Sequence, residues 1–152
     1  MFKYIAKQFI PDNIAKFVSA GIRACREVKR EIPIMIHLDN GGNNELYRRW
    51  FDNYIPRGED FDYIGLSYYP FWHGTPDELF ENLNACRRFG KQIIISELGY
   101  GFTTEGYFLN GRECRLVIDE SQSRVPGFSN IFPMTPEGQR SFIHYIMKRA
   151  RE

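Results

Sequence analysis

Three short apolar runs in this chain each end in residues able to do chemistry. Residues 33–38 release His37, Asp39 and Asn40, and residues 63–66 are followed by Ser67, Tyr68, Tyr69, Phe71, Trp72 and His73. The third run, Ile93-Ile94-Ile95, leads through Ser96 to a single carboxylate, Glu97. A carboxylate where a strand leaves the apolar interior is costly unless hydrogen bonds or chemistry match its charge. Tyrosine and tryptophan beside it suit a pyranose, whose C–H face stacks on a flat ring while its hydroxyls meet polar edges. For Phe71, which has no polar edge, core packing is the better reading.

Other chemistries compete for the same residues. His37 and Asp39 have the spacing of an H-x-D metal pair, but a metal would want further ligands and only His73 is at hand. Hydrogen bonding to sugar hydroxyls, or orientation of a carboxylate, fits them better. The plain alternative is that Asp39 caps the next helix. A nucleotide site is disfavoured: Gly99-x-Gly101 is followed by glycine only at 106, and no G-x-G-x-x-G opens a helix.

The elements that must position these residues alternate. Asp12 can cap a helix over 13–29, with Ile14, Phe17, Val18, Ile22, Cys25 and Val28 on one face. A strand over 33–38, a loop Asp39-Asn-Gly-Gly-Asn43 and a helix with Leu46, Tyr47, Trp50, Phe51 and Tyr54 buried come next. After the strand at 63–66, Thr75-Pro76-Asp77-Glu78 has the form of a capping box with proline at the first helical position. That helix ends at Gly90, and a strand over 92–96 follows. Residues 101–134 carry no clear period and read as a long loop with a short strand at 115–118. Thr135-Pro136 opens a last helix with Phe142, Ile143, Ile146, Met147 and Ala150 on its apolar face. Such alternation predicts an α/β fold with parallel strands, and reactive groups at their C-terminal ends are the layout of a (β/α) barrel site.

The 152 residues read as a single domain over 1–152, whereas a complete eight-stranded barrel takes roughly 250 residues. A net charge of +1 gives no electrostatic case for nucleic acid or an anionic membrane as partner. The basic clusters Arg23, Arg26, Lys29, Arg30 and Lys148, Arg149, Arg151 fall on predicted helices and read as solvated faces. Aromatic residues make up 16% of the chain, well above ordinary usage; part of the surplus is core, and the strand-end rings are candidates for a binding role. Three cysteines with no C-x-x-C argue against a disulfide framework, and Cys25 and Cys86 read as small core residues. No signal peptide or transmembrane run is visible.

Ile34-Met-Ile-His-Leu-Asp-Asn-Gly41, Phe61-Asp-Tyr-Ile-Gly-Leu-Ser-Tyr-Tyr-Pro-Phe-Trp-His-Gly74 and Ile94-Ile-Ser-Glu97 closely resemble glycoside hydrolase family 53, the arabinogalactan endo-β-1,4-galactanases. Glu45-Leu-Tyr-Arg-Arg-Trp-Phe-Asp-Asn53 and Thr135-Pro-Glu-Gly-Gln139 fit the same family. The resemblance implies a partial (β/α)8 TIM barrel comprising the fifth to seventh strands with their helices. It implies retaining hydrolysis of β-1,4-galactan, with Glu97 as the catalytic nucleophile. His37, Asp39, Asn40, Tyr68, Tyr69, Trp72, His73 and Tyr100 are the substrate-binding residues expected with it, and no metal or cofactor is expected. Family members act outside the cell.

In the family the acid/base sits in a Gly-Asn-Glu motif ending the fourth strand, and this chain contains no Gly-Asn-Glu. The first ten residues match poorly, which makes Met1 an internal methionine or a misplaced start. The expectation is therefore the C-terminal half of a galactanase, inactive alone, whose partners are β-1,4-galactan or arabinogalactan and the missing N-terminal half of the barrel. The alternatives are a non-catalytic galactan-binding remnant and one piece of a split or miscalled gene.

Overall fold

The computed structural model describes residues 11–103, 105, 107–114 and 127–151. Helix α1 runs Pro11–Val28 and strand β1 Met35–Leu38. They are followed by α2 (Asn44–Tyr54), β2 (Tyr63–Tyr68), a one-turn helix α3 (Pro70–His73) and α4 (Pro76–Cys86). A 3-10 turn (Arg87–Phe89) then leads to β3 (Gln92–Leu98). Two short strands, β4 (Tyr107–Leu109) and β5 (Arg112–Cys114), form an antiparallel hairpin. Helices α5 (Phe128–Ile131) and α6 (Pro136–Arg149) follow. The segment expected to be a loop over 101–134 thus contains a hairpin and a helical turn, and the strand expected at 115–118 lies outside the described residues, as do the first ten.

β1, β2 and β3 make one parallel sheet in that order. Ile36, Ile64 and Leu66 are buried against the helices, and Ile93 and Ile95 continue that side of the sheet. The opposite side carries Met35, His37, Gly65, Ser67, Ile94 and Glu97, and there Met35 and Ile94 are 43% and 40% exposed. Strands covered on both faces read as continuous apolar runs. β2 is buried along its length from Ile64, while β1 and β3 alternate.

Local chemistry sets the helix ends. The Asn43 side chain accepts from the Leu46 amide at 3.0 Å and caps α2, so Asn43 and not Asp39 is the capping residue. Thr75 and Glu78 close the expected capping box at α4, and Thr135 caps α6 through the Gly138 amide. Gly90, at φ 67, ends the 3-10 turn in the left-handed region that glycine adopts without strain.

Much of the aromatic surplus is core. Phe51 packs against Phe61 and Phe89 with ring centroids 5.8 and 5.3 Å apart. A second cluster joins Phe71, Tyr100, Phe128 and Phe142. Cys86 is buried as expected, but Cys25 is exposed. Phe17 and Val28, on the same flank of α1, are 79% and 90% exposed. Only the flank bearing Ala15, Ser19 and Ile22 packs inward, so the expected apolar face of α1 is half used. The basic clusters pair with acidic residues of other elements: Arg23 with Glu59 at 3.0 Å, and Arg149 with Asp77 at 2.7 Å.

Candidate active site

The loop after β1 lies against the C-terminal end of β2. The Gly41 amide donates to the Ser67 carbonyl at 2.9 Å, and a side chain at Gly42 would run into the His73 carbonyl. From α4, Asn82, fully buried, donates through Nδ2 to the Gly41 carbonyl at 2.7 Å and accepts from Asn44 Nδ2 at 3.2 Å. Asn40 sits in this loop at φ 61, a conformation asparagine tolerates. Its Oδ1 is enclosed and has no hydrogen-bond partner among the described residues.

Held by that frame, four side chains converge at the ends of the three strands. Tyr69 Oη donates to Glu97 Oε2 at 3.0 Å. His37 Nδ1 lies 3.9 Å from Glu97 Oε1, and His37 Nε2 lies 2.7 Å from Ser67 Oγ. The Glu97 side chain is 48% exposed, so its oxygens remain accessible beside these partners. The hydrogen bond to Glu97, then burial, then the charges of Glu97 and Asp39 push the Tyr69 phenol above its ordinary pKa. A neutral phenol beside the carboxylate is therefore a firm donor.

His73 ties a second group to the first. It is buried, its Nε2 lies 3.2 Å from Asp39 Oδ1, and its Nδ1 lies 3.2 Å from the Tyr69 backbone amide and 3.1 Å from the Ser67 carbonyl. The Tyr69 ring packs edge-on against the His73 ring at 5.4 Å, and against half-buried Trp72 at 5.6 Å. His37 and Asp39 thus turn to different partners, one to Ser67 and Glu97, the other to His73, and do not form an H-x-D pair.

Two expected substrate-binding residues lie elsewhere. Tyr68 follows Ile64 and Leu66 onto the helix-facing side of β2, where period-2 alternation carries it. It is fully buried beside Phe142 and spends its hydroxyl on the Gly74 carbonyl at 2.9 Å. Tyr100 is buried between Phe71 and Phe142 and donates to the Phe132 carbonyl. Neither ring lines an open cleft. Trp72, expected in a loop, sits on the one-turn helix α3, and Phe71 beside it is core as expected. Ser67 was not among the expected site residues. The signal that points to it is its place on β2 with Gly65, opposite Glu97 in register, on the side turned away from the helices.

Comparison with known proteins follows the same lines. The sequence profile of Glycosyl hydrolase family 53 matches residues 7–152. An uncharacterized protein from the bgaB 5' region of Niallia circulans is 38% identical over 142 residues, covering 93% of this chain and 37% of that one. The Bacillus subtilis endo-β-1,4-galactanase is 26% identical over 90% of this chain and 30% of its own length. The arabinogalactan endo-β-1,4-galactanase of Humicola insolens is 38% identical over 58% of this chain and 29% of its own. Among solved structures, one from a study of two fungal β-1,4-galactanases superposes with a TM-score of 0.71 at 25% identity, covering 91% of this chain and 40% of that one. The Ignisphaera aggregans GH53 catalytic domain superposes with a TM-score of 0.66 at 31% identity, over 82% of this chain and 32% of its own. The chain therefore spans about a third of the length of the curated relatives it matches. Its sheet and helices are part of a (β/α)8 barrel, and by sequence and by fold the chain belongs to glycosyl hydrolase family 53.

Proposed function

We propose that this chain carries the nucleophile half of a retaining galactanase site acting on β-1,4-galactan or arabinogalactan. The observation that supports this best is Glu97, half exposed at the end of β3 and gripped by Tyr69 Oη at 3.0 Å beside His37. Glu97 attacks the anomeric carbon, forming a galactosyl ester as the leaving oxygen departs, and water then cleaves the ester. Tyr69 and His37 hold the carboxylate so that one oxygen is aimed at the sugar. Asp39 and Trp72 flank that point and serve the substrate, by hydrogen bonding and by stacking. Asn40 and His73 act from behind, one in the loop, the other on Asp39 and Tyr69.

Retention needs a second carboxyl group about 5–5.5 Å from the nucleophile to protonate the leaving oxygen. With no Gly-Asn-Glu in these 152 residues, that group comes from polypeptide beyond them, the N-terminal strands of the barrel. The site of action is extracellular, as the family resemblance implies. Alone, the chain does not degrade galactan.

An aryl galactoside with a good leaving group needs little acid help and is the fair test. Its turnover by the folded chain is expected to vanish in Glu97→Ala and to return partly with azide, giving the inverted product. Turnover that survives Glu97→Ala would overturn the assignment. A binding role without turnover is the alternative, favoured by the Tyr69–Trp72 ring pair beside Glu97. Saturable galacto-oligosaccharide binding with no turnover of the activated galactoside selects it.

A further inference from the structure

Building on the reading of Glu97 as nucleophile, we propose that Ser67 is a positioning residue that acts through His37 and fixes which ring nitrogen carries the proton facing Glu97. Ser67 is 2% exposed and sits at the irregularity in β2–β3 pairing between Leu66 and Ser67, opposite Glu97. Such irregularities re-aim a side chain without breaking the strand. Its Oγ lies 2.7 Å from His37 Nε2, while His37 Nδ1 lies 3.9 Å from Glu97 Oε1.

A neutral imidazole has one N–H and one lone pair, so only two arrangements exist. With the proton on Nε2, the ring donates to Ser67 and turns the Nδ1 lone pair toward a carboxylate oxygen, which is repulsive. With Ser67 as donor to Nε2, the proton resides on Nδ1 and its positive end faces Glu97. The second arrangement satisfies both contacts. Ser96 on the adjacent strand does not substitute for Ser67, because its Oγ donates to the Leu66 carbonyl at 3.1 Å. The nucleophile is thereby offered two donors, Tyr69 Oη on one oxygen and the Nδ1–H of His37 toward the other.

The second histidine of the site is held differently. His73 Nδ1 lies 3.2 Å from the Tyr69 amide, a donor, and 3.1 Å from the Ser67 carbonyl, an acceptor, and its Nε2 faces Asp39. Both contacts of Nδ1 are to backbone and survive loss of the Ser67 hydroxyl, which makes His73 an internal control.

The chain has three histidines, so 15N-histidine labelling resolves each ring. In mildly alkaline solution, where imidazoles are neutral, nitrogen–carbon-proton correlation spectra report the tautomers. The expected result is Nδ1–H for His37 and free exchange for exposed His144, with the His73 signal as the reference. Ser67→Ala is expected to release His37 toward the mixture shown by His144 while His73 stays fixed, and Ser67→Thr is expected to restore Nδ1–H. Ser67→Cys keeps the size but donates far more weakly, so it serves in the same way if alanine prevents folding. An Nε2–H tautomer for His37 in the wild-type chain would overturn the proposal, as would a His37 spectrum unmoved by loss of the hydroxyl in a folded variant. Trapping of Glu97 by an activated 2-fluoro-galactoside is read separately by mass. If trapping fails while His37 holds its Nδ1–H tautomer, the nucleophile reading falls and the tautomer control stands.

Discussion

Replacing Asn82 tests whether the loop that carries Asp39 is clamped from α4. Asn82 is fully buried, gives one hydrogen bond to the Gly41 carbonyl and receives one from Asn44 and a weaker one from the Cys86 thiol. Asn82→Ala leaves the buried Gly41 carbonyl without that donor, at a cost of about 1–3 kcal/mol. Asn44 is only half-buried and can turn to water, so its loss adds at most about 1 kcal/mol. The sum is about 1–4 kcal/mol, and in a domain of this size each kcal/mol lowers Tm by about 2–4 °C. The expected decrease is therefore about 2–16 °C, followed by circular dichroism in dilute solution. Asn82→Asp is the sharper variant. It preserves an acceptor for Asn44 but sets a carboxylate oxygen against the Gly41 carbonyl, with a buried charge besides, so it should be less stable than Asn82→Ala. Asn44→Ala should lower stability by no more than about 1 kcal/mol. At neutral pH an Asn82→Asp chain as stable as the wild type would refute the clamp, because the new carboxyl must either set a charged oxygen against the Gly41 carbonyl or take up a proton, at a cost in free energy, to donate to it.

Trp72→Ala is expected to weaken galacto-oligosaccharide binding about tenfold, or about 1.4 kcal/mol, with helix content unchanged. Unchanged affinity by calorimetry would leave Trp72 as packing alone. The Tyr69 phenol, raised chiefly by donating to Glu97, should titrate closer to the ordinary tyrosine range in Glu97→Gln when followed by ultraviolet difference absorbance. The sign for stability follows: protonated Tyr69 is favoured in the folded state, so its contribution is full below the unfolded tyrosine pKa and is lost as pH rises through the folded one. Burial pushes the Cys86 thiol up to about 11, whereas Cys25 is exposed. Peptide mapping after brief alkylation at neutral pH should find Cys25 modified and Cys86 modified only in denaturant.

The elements were legible because their signals are local. The capping box at Thr75, the cap at Thr135 and the apolar runs before His37, Ser67 and Glu97 each specify structure within a few residues. What the sequence concealed depends on direction and on distant neighbours. Tyr68 and Tyr69 are adjacent and chemically alike, yet one enters the core and the other grips Glu97. Alternation from Ile64 and Leu66 assigns Tyr68 inward, against the appeal of a tyrosine at a strand end. Tyr100 gave no such warning, because its partners Phe71, Phe128 and Phe142 come from three other elements. Ser67 stands out in the sequence as a strand-end hydroxyl, but its role does not, because nothing local places His37 2.7 Å away.

The surface of α1 and the sheet carry one further consequence. The sequence places Phe17, Cys25 and Val28 with the apolar positions of α1, and the structure leaves these three exposed while burying Ala15 and Ile22. Met35 on β1 and Ile94 on β3 are likewise exposed on the face away from the helices. Scattered apolar side chains are ordinary on a surface, but these fall on two continuous features, one flank of a helix and one face of a parallel sheet. Parallel sheets are stable when both faces are covered. The site shares this open face, since Glu97 and His37 project from the same side as Met35 and Ile94. Whatever polypeptide covers the face therefore does two things at once. It removes apolar surface from water and, on the retaining reading proposed above, supplies the wall opposite Glu97 from which the second carboxyl group reaches the scissile bond. On that reading stability and catalysis are coupled through one surface, and a variant that polarises Met35 or Ile94 is expected to weaken assembly of the complete site without touching any residue that contacts substrate.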